Sequence, residues 1–453
     1  MATPITRRRF LKTSALVAGA AAGATALLDA TQPRVTEAAQ DRDTTTLTVM
    51  YSTAEVSTAE VKHFESLNPG IKIRQLQYAD LTYASMTAAG NPPDFVRSYG
   101  APSIPNTVGR GLATDLTPYF QASKVLSTAN LESINDVYRW DGKVQGQGPR
   151  YGFVKDWSQD NTIWVNKMLF AQAGVKLPSD TEPVSYDELL ALGKKLTVTK
   201  SGKTVVYGLH TFWDAPWMQG RFIQMLQENG KSLWSPDFSS ADFTGPDILK
   251  IIKWHVDWAQ AKVGISELNP NATGEGPLFL ANRMAILMSG YWFQGLLAGD
   301  TTHKILPNSM FGPSPQYGAK RISACYAGVG ATIPTGAKNK EAAWKFMEYF
   351  ETGMPAVDRA TSGWGIPPLK SNIRLMPHTL PAQKQILASL NNELKYLEVL
   401  RYSPYVDSLG LENAIHKYIV PVMQGHTSLT SGAQQLQDAV NKLISQGKAQ
   451  VSG

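Results

Sequence analysis

One cysteine, Cys325, in 453 residues excludes a disulfide framework and a zinc site built on thiolates. The seven histidines are scattered without metal-ligand spacing, and no H-E-x-x-H occurs. No G-x-S-x-G nucleophile turn and no dinucleotide-type G-x-G-x-x-G is found. Ser201-Gly202-Lys203-Thr204 ends like a phosphate loop, but the position that needs the first glycine is Thr197. These absences leave no metal, nucleotide or cofactor to bind. Charge of one sign is scarce as well. The formal net charge is +6, yet residues 1–39 hold five Lys/Arg against two acids, which leaves 38 against 35 in the remainder. A near-balanced chain without a basic stripe disfavours nucleic acid as a partner. At this length the prior is two to three domains, with ample core and no need for staples.

What is present begins at the N-terminus. Thr6-Arg7-Arg8-Arg9-Phe10-Leu11-Lys12 is basic, and Ala15 to Leu28 follows as 14 uncharged small and apolar residues. That run is short of the ~20 residues a membrane span needs. A charged segment before a short apolar one is an export signal. The twin arginines resemble the twin-arginine translocation signal, whose substrates are exported folded. Small residues at Ala30 and Ala38-Ala39 offer cleavage sites. No cysteine lies near either, so lipid-anchored maturation is not expected, and the mature chain is expected to be soluble and periplasmic or otherwise extracytoplasmic.

Leu47 to Tyr51 reads as a first strand. Ser52-Thr53-Ala54-Glu55 and Ser57-Thr58-Ala59-Glu60 each match a capping box that starts a helix carrying Val61 and Phe64. Asn68-Pro69-Gly70 stops it, and Ile71 to Arg74 alternates like a strand. This β-α-β order argues for an α/β sheet. A short strand near Phe95 and a helix ending near Gly109 follow. Gly142 to Gly148 reads as a hairpin or a lobe boundary. Thr162 to Val165 is a strand, and Met168 to Ala173 a helix closed by Gly174. Ser185-Tyr186-Asp187-Glu188 caps another helix, and Val205 to Leu209 is a strand. Pro246 and Asn339 open two later helices, and the C-terminal third has helical spacing. Met284 to Met288 is a short apolar strand that stops at Ser289-Gly290 and presents Tyr291-Trp292. Those two rings either cap a core or face a ligand in the crevice beyond a sheet edge.

The order of these pieces resembles the sugar-binding family of extracellular solute-binding proteins that contains maltose-binding protein. The matching stretches run from about Leu47 to about Leu443. They include Asn68-Pro69-Gly70-Ile71-Lys72-Ile73, Pro93-Asp94-Phe95-Val96, Gly111 to Leu116, Val165-Asn166-Lys167, Phe279 to Trp292, Ala342 to Phe346 and Gly363-Trp364-Gly365-Ile366-Pro367. The family's Tyr-Asn-Lys stands here as Val165-Asn166-Lys167, and its Thr-Trp as Ser185-Tyr186. The resemblance implies an α/β, two-lobed periplasmic-binding-protein fold of type II, with a ligand cleft between lobes joined by crossing hinge segments. By position, the first lobe is expected at 44–154 and 328–376, and the second at 155–327 and 377–453.

The tryptophans make a separate argument. Nine of the 11 fall between Trp140 and Trp292. A sugar offers apolar C–H faces and a fringe of hydroxyls, which a flat ring with an N–H handle and nearby acids, amides and Arg complement. Trp254, Trp258, Trp164 and Trp344 sit mid-element and read as core. Trp292 matches the family's stacking tryptophan, with Tyr291 beside it. Trp213 and Asp214 follow a strand, Asp156 and Trp157 flank the first crossing, and Trp364 lies in a loop that often reaches ligand in this family. On the first lobe the candidates are Arg97, Tyr99 and Glu55, the last either a ligand contact or, the reading preferred, the capping partner of Ser52; Tyr326 stands beside the second crossing. Cys325 reads as a buried small hydrophobe.

The resemblance therefore implies capture of a carbohydrate and its delivery to the membrane permease of an ABC transporter, by a monomer without cofactor, metal or catalysis. A sensor subunit that presents ligand to a receptor would use the same cleft. A glycan-cleaving enzyme needs only two carboxylates about 5–10 Å apart, which spacing along a chain does not exclude.

Overall fold

A computed structural model describes residues 44–214 and 217–451; the expected export signal at 1–39 lies outside the described residues. Two sheets organise the chain. The first has five strands in the order Ile71–Leu76, Thr45–Met50, Phe95–Tyr99, Val329–Thr332, Gly152–Asp156. The first three run parallel, while Val329–Thr332 is antiparallel to both of its neighbours. Val329–Thr332 arrives from far along the chain, so this lobe is built from two separate stretches. From Leu47 onward the Thr45–Met50 strand is buried on both faces, as helix-covered parallel strands are.

Local chemistry sets the elements. Ser57 and Glu60 complete the second of the two possible capping boxes, with Ser57 N–H donating to the Glu60 carboxylate at 2.5 Å and Glu60 N–H to Ser57 Oγ at 3.2 Å. The helix Thr58–Leu67 ends where the Asn68 side chain donates to the Phe64 carbonyl at 3.0 Å and Pro69 cannot continue it. Its Phe64 meets Phe346 of the Lys340–Thr352 helix edge to face, 5.1 Å between centroids. Ser52 to Val56 is a turn and not a helix start, which frees the Glu55 side chain from capping.

The second sheet is antiparallel, with Ile163–Asn166 between Ile286–Met288 and Ser309–Gly312. Asn166 caps the Lys167–Ala173 helix with its side-chain oxygen, and Gly174 closes it in the left-handed region. Ser185 and Glu188 form the expected capping box of Tyr186–Leu196. The Val205 to Leu209 run divides. Lys203–Val206 pairs with Val198–Lys200 in a hairpin whose tip is Ser201-Gly202, both at positive φ. Tyr207 to His210 then lies along Ile286–Met288, with His210 N–H on the Ile286 carbonyl at 2.9 Å. The Gly142 to Gly148 stretch belongs to a hairpin of Arg139–Trp140 with Gln145–Arg150. Helices Trp217–Glu228, Pro246–Gln260, Ser408–Met423 and Leu429–Val451 cover the second lobe.

Three segments pass between the lobes. After Asp156 the chain crosses at Trp157 to Asn161; Trp157 and Ile366 exchange backbone hydrogen bonds of 3.2 and 2.7 Å with a crossing near Gly365. Asp160 ties the first crossing to the one before Val329: its carboxylate accepts from the N–H groups of Tyr326 at 2.8 Å and Ala327 at 3.2 Å. The Gly152–Asp156 strand ends two residues beyond 154. Ile366 and Met376 pack in the larger core, which also holds Ala101, Tyr138 and Val154. Among the described residues no helix is long and apolar enough to cross a membrane.

Candidate functional site

The carboxyl ends of Thr45–Met50, Phe95–Tyr99 and Gly152–Asp156 share one edge of the five-stranded sheet, where Tyr99, Val329 and Asp156 lie side by side in register. This edge faces the second lobe, in the position where open α/β sheets bind ligands.

Four charged side chains meet there. Arg97 is bidentate on Glu55, with Nε at 2.8 Å and Nη2 at 3.3 Å. Lys155 Nζ reaches the second Glu55 oxygen at 3.2 Å and also contacts Asp156. Lys155 gets there through a β-bulge. Val329 opposes Asp156 and Gly330 opposes Val154, so Lys155 is the unopposed residue and its side chain is re-aimed. Gly330 tolerates this crowding because a Cβ there would sit 1.8 Å from the Phe153 carbonyl oxygen. Burial raises the Glu55 carboxyl, but Arg97 and Lys155 outweigh it and hold the group at about 2. Burial lowers the Arg97 guanidinium; Glu55 overrides it, and the group stays charged far above ordinary pH. Arg97 and Tyr99, two apart on one strand, share a face, with the guanidinium 4.5 Å from the Tyr99 ring centroid.

From Tyr99 a chain of half-buried rings continues across the cleft. Tyr99 meets Trp217 at 6.4 Å and 81°, and Trp217 meets Phe212 at 5.2 Å. Phe212 lies 6.4 Å from Trp292, which lies 6.2 Å from Trp364. The arc thus runs from the first lobe, over the second, to the late crossing. Trp364 is set by its neighbours. Gly363 and Gly365 have φ of +76° and +85°, and a Cβ on Gly365 would stand 2.7 Å from that of Asp156. Trp364 also covers Gly295, where a Cβ would meet its ring at 2.6 Å.

The structure brings Trp292, Trp364, Tyr99, Arg97, Glu55 and Asp156 to this cleft. Trp157 is buried at the crossing, its Nε1 without a hydrogen-bond partner. Asp214 is half-buried at the end of the loop carrying Phe212 and interacts with Arg221. Three candidates turn inward. Trp213 is 8% exposed and stacks on His416 at 6.1 Å and 8°, beside His255. Tyr291 is buried against Phe311, and Tyr326 lies beneath Gly220 with its hydroxyl on Gln224 at 2.6 Å. Adjacent rings cannot both face a cleft: Trp292 looks out and Tyr291 in, Phe212 out and Trp213 in. Glu55 does not cap Ser52; its carboxylate belongs to the ion cluster.

Phe212 and Trp217 were missing from the sequence-level candidates. Nothing in the run after Leu209 says which ring of the Phe212-Trp213 pair faces outward. Trp217 opens a helix and carries no strand-end signal. Trp164, Trp254, Trp258 and Trp344 are buried as expected. No group of three or more His, Cys, Asp or Glu suited to a metal ion occurs among the described residues. A depression of about 560 Å³ lined by Asn68, Gly70, Lys338 and Lys345 lies at the opposite, amino-terminal edge of the sheet and has no aromatic wall.

Solved structures share this architecture. An ABC substrate-binding protein from Listeria monocytogenes, in complex with cycloalternan, matches over 89% of this chain and 100% of its own with a TM-score of 0.74 and 21% identity. An ABC transporter solute-binding protein from Thermotoga lettingae, bound with alpha-D-tagatose, matches over 88% and 100% with a TM-score of 0.70 and 21% identity. Maltose-bound MalE3 of T. maritima matches over 88% and 100%, with a TM-score of 0.68 and 15% identity. At these identities the likeness speaks for the two-lobed α/β fold. None of the curated proteins matches the sequence. The family model described as bacterial extracellular solute-binding protein matches residues 48–352, about two thirds of the chain. The chain belongs to that family.

Proposed function

We propose that the protein is an exported receptor that captures a carbohydrate between its lobes and delivers it to the membrane permease of an ABC transporter. The observation that carries this reading is the unbroken arc Tyr99–Trp217–Phe212–Trp292–Trp364 facing the cluster of Glu55, Arg97, Lys155 and Asp156. Flat rings suit the C–H faces of pyranose or furanose rings; charged hydrogen-bonding groups suit their hydroxyls. Three of the similar structures hold cycloalternan, tagatose and maltose, which supports the same ligand class.

Capture requires the two walls to move together. Ligand favours closure only through contacts with both lobes, and the arc has members on each. The lobes would divide near Asp156, Gly328 and Gly363, with the three crossings as hinge. The protein works as a monomer, with Trp292, Trp364, Trp217, Phe212, Tyr99, Arg97, Glu55 and Asp156 as contacts, and Asp214 and Trp157 flanking them. The basic segment and apolar run at the N-terminus support export by the twin-arginine route into the periplasm or its equivalent.

Catalysis by the two cleft carboxylates, Glu55 and Asp156, is disfavoured by their ion pairs. A glycoside-cleaving acid must hold a proton near neutral pH, whereas Glu55 is held at about 2 and Asp156 is paired with Lys155. The test is a thermal-shift screen of purified protein against mono- and oligosaccharides, followed by an assay for released reducing ends. Binding to the folded state raises the melting temperature. A saccharide that does so and stays intact supports the reading. A shift given only by non-sugars, or new reducing ends in a clean preparation, overturns it.

A further inference from the structure

The four charges of the first-lobe wall cancel. Glu55 and Asp156 carry two negative charges, Arg97 and Lys155 two positive, and every one has a partner of opposite sign. The cluster is sheltered: the Lys155 side chain is 1% exposed and that of Asp156 8%, against 13% and 14% for Arg97 and Glu55. Glu55 is the hub, because it touches both cations: Arg97 through both oxygens, and Lys155 through the one that Arg97 Nη2 also reaches. Its position in a turn after the first strand, and not on a strand, lets it reach strands that are far apart in sequence.

The opposing wall repeats the balance. Its ring-bearing positions, Phe212, Trp217 and Trp292, are uncharged. The acid beside them, Asp214, interacts with Arg221, which is fully buried and donates to the Phe212 carbonyl at 3.2 Å. Among the described residues, each of the wall charges named above has a counter-charge.

We propose that Glu55 sets ligand specificity: by holding Arg97 and Lys155 it leaves neither cation of the cluster free, so the site takes an uncharged saccharide and turns away uronates, amino sugars and sugar phosphates. This rests on the carbohydrate reading above. A neutral hydroxyl can accept from Arg97 or donate to a Glu55 lone pair without separating the pair. A carboxylate or phosphate has to compete with Glu55 for the same cations, and it then lies against two acids. An ammonium competes with Arg97 and Lys155 for the acids. Like charges brought together in a sheltered interface are strongly unfavourable, and removing one partner from a buried pair leaves the other uncompensated.

The experiment is calorimetric titration with matched congeners of the best neutral saccharide: the parent, its uronate and its 2-amino analogue. The parent should bind at least about 100-fold more tightly than either charged form. Its affinity should stay level as salt rises to about half-molar, because no net charge meets the wall. In Glu55→Gln Arg97 loses its carboxylate partner and Lys155 keeps only Asp156, so the parent should weaken by about tenfold or more while the uronate gains relative to it. Should that variant fail to fold, the wild-type congener ratios and salt dependence still decide. A uronate or amino sugar binding within about threefold of the parent overturns the inference while leaving the carbohydrate reading intact. A panel in which no saccharide of any charge binds, while another solute does, removes the carbohydrate reading and this inference with it.

Discussion

The rings of Tyr99 and Trp217 meet edge to face at 81°, 6.4 Å between centroids, one from each lobe. It is the link where the arc passes from the first lobe to the second. An aromatic pair of this kind is worth about 0.5–1.5 kcal/mol beyond its area. Trp217→Ala should therefore weaken saccharide binding by about tenfold or more, with a small loss of melting temperature, because it removes both a plate and an interlobe contact. Thermal unfolding and titration calorimetry on one preparation check this. Affinity equal to wild type would place Trp217 outside the ligand contacts.

The paired tryptophans beside the cleft should separate by phenotype. Trp213 is packed among Phe222, His255 and His416, so Trp213→Ala should cost about 3–5 kcal/mol of stability, read by denaturant unfolding. Trp292 is half-exposed, and Trp292→Ala should cost far less stability while reducing affinity strongly. Equal losses of stability in the two variants would contradict the inside–outside split.

The loop that carries Trp364 depends on its glycines. Gly365 combines φ of +85° with a Cβ position 2.7 Å from Asp156 Cβ, so Gly365→Ala meets both backbone strain and a side chain. The expected cost is about 1–2 kcal/mol, more than at an exposed glycine of similar φ such as Gly425, where nothing lies within 4 Å. Saccharide affinity should fall as Trp364 is displaced. Unfolding and titration of both variants would show whether the two sites differ.

Stability should decline on the alkaline side of neutrality. Burial pushes Asp160 and Glu228 up to about 7 and Glu351 up to about 8. In the unfolded chain these groups titrate near 4. Between those values the folded protein holds more protons, so their contribution is present at low pH and lost as pH rises through the folded pKa values. His210 and His255, pushed down to about 3 by burial and by Arg221, act oppositely, but only below their unfolded value of about 6.5. The melting temperature should therefore fall from about pH 6.5 to about pH 8.5, where the carboxyls dominate. Glu351, 3.9 Å from Arg359 and 1% exposed, is the cleanest probe, and Glu351→Gln should flatten the decline. A melting temperature that climbs across that range would contradict the assignment.

Much of the fold was legible because its signals are local. Ser57 and Ser185 cap helices through Glu60 and Glu188, three residues on, and Asn68-Pro69 and Gly174 stop helices by local chemistry. The site was partly legible for the same reason: Tyr99 ends a strand, Arg97 shares its face two residues earlier, and Trp292 follows a strand. What stayed hidden depends on contacts between distant parts of the chain. Which of Phe212 and Trp213 faces outward is decided by His416, about 200 positions later. Tyr326 looked like a cleft residue beside a crossing, but Gly220 leaves a space into which its ring fits. Ser52 matched a capping motif as well as Ser57 did, and the choice was made by Arg97 and Lys155 drawing Glu55 away. The bulge at Lys155 arises from the register with Val329 and has no local signature.

The most direct test of carbohydrate capture by the aromatic arc is calorimetric titration of the best saccharide from the thermal screen into wild type and Trp292→Ala under identical conditions. The wild type should bind it at one site per chain, and the variant, folded and melting near the wild-type temperature, should bind at least about tenfold more weakly. A folded Trp292→Ala protein with undiminished affinity would contradict the account.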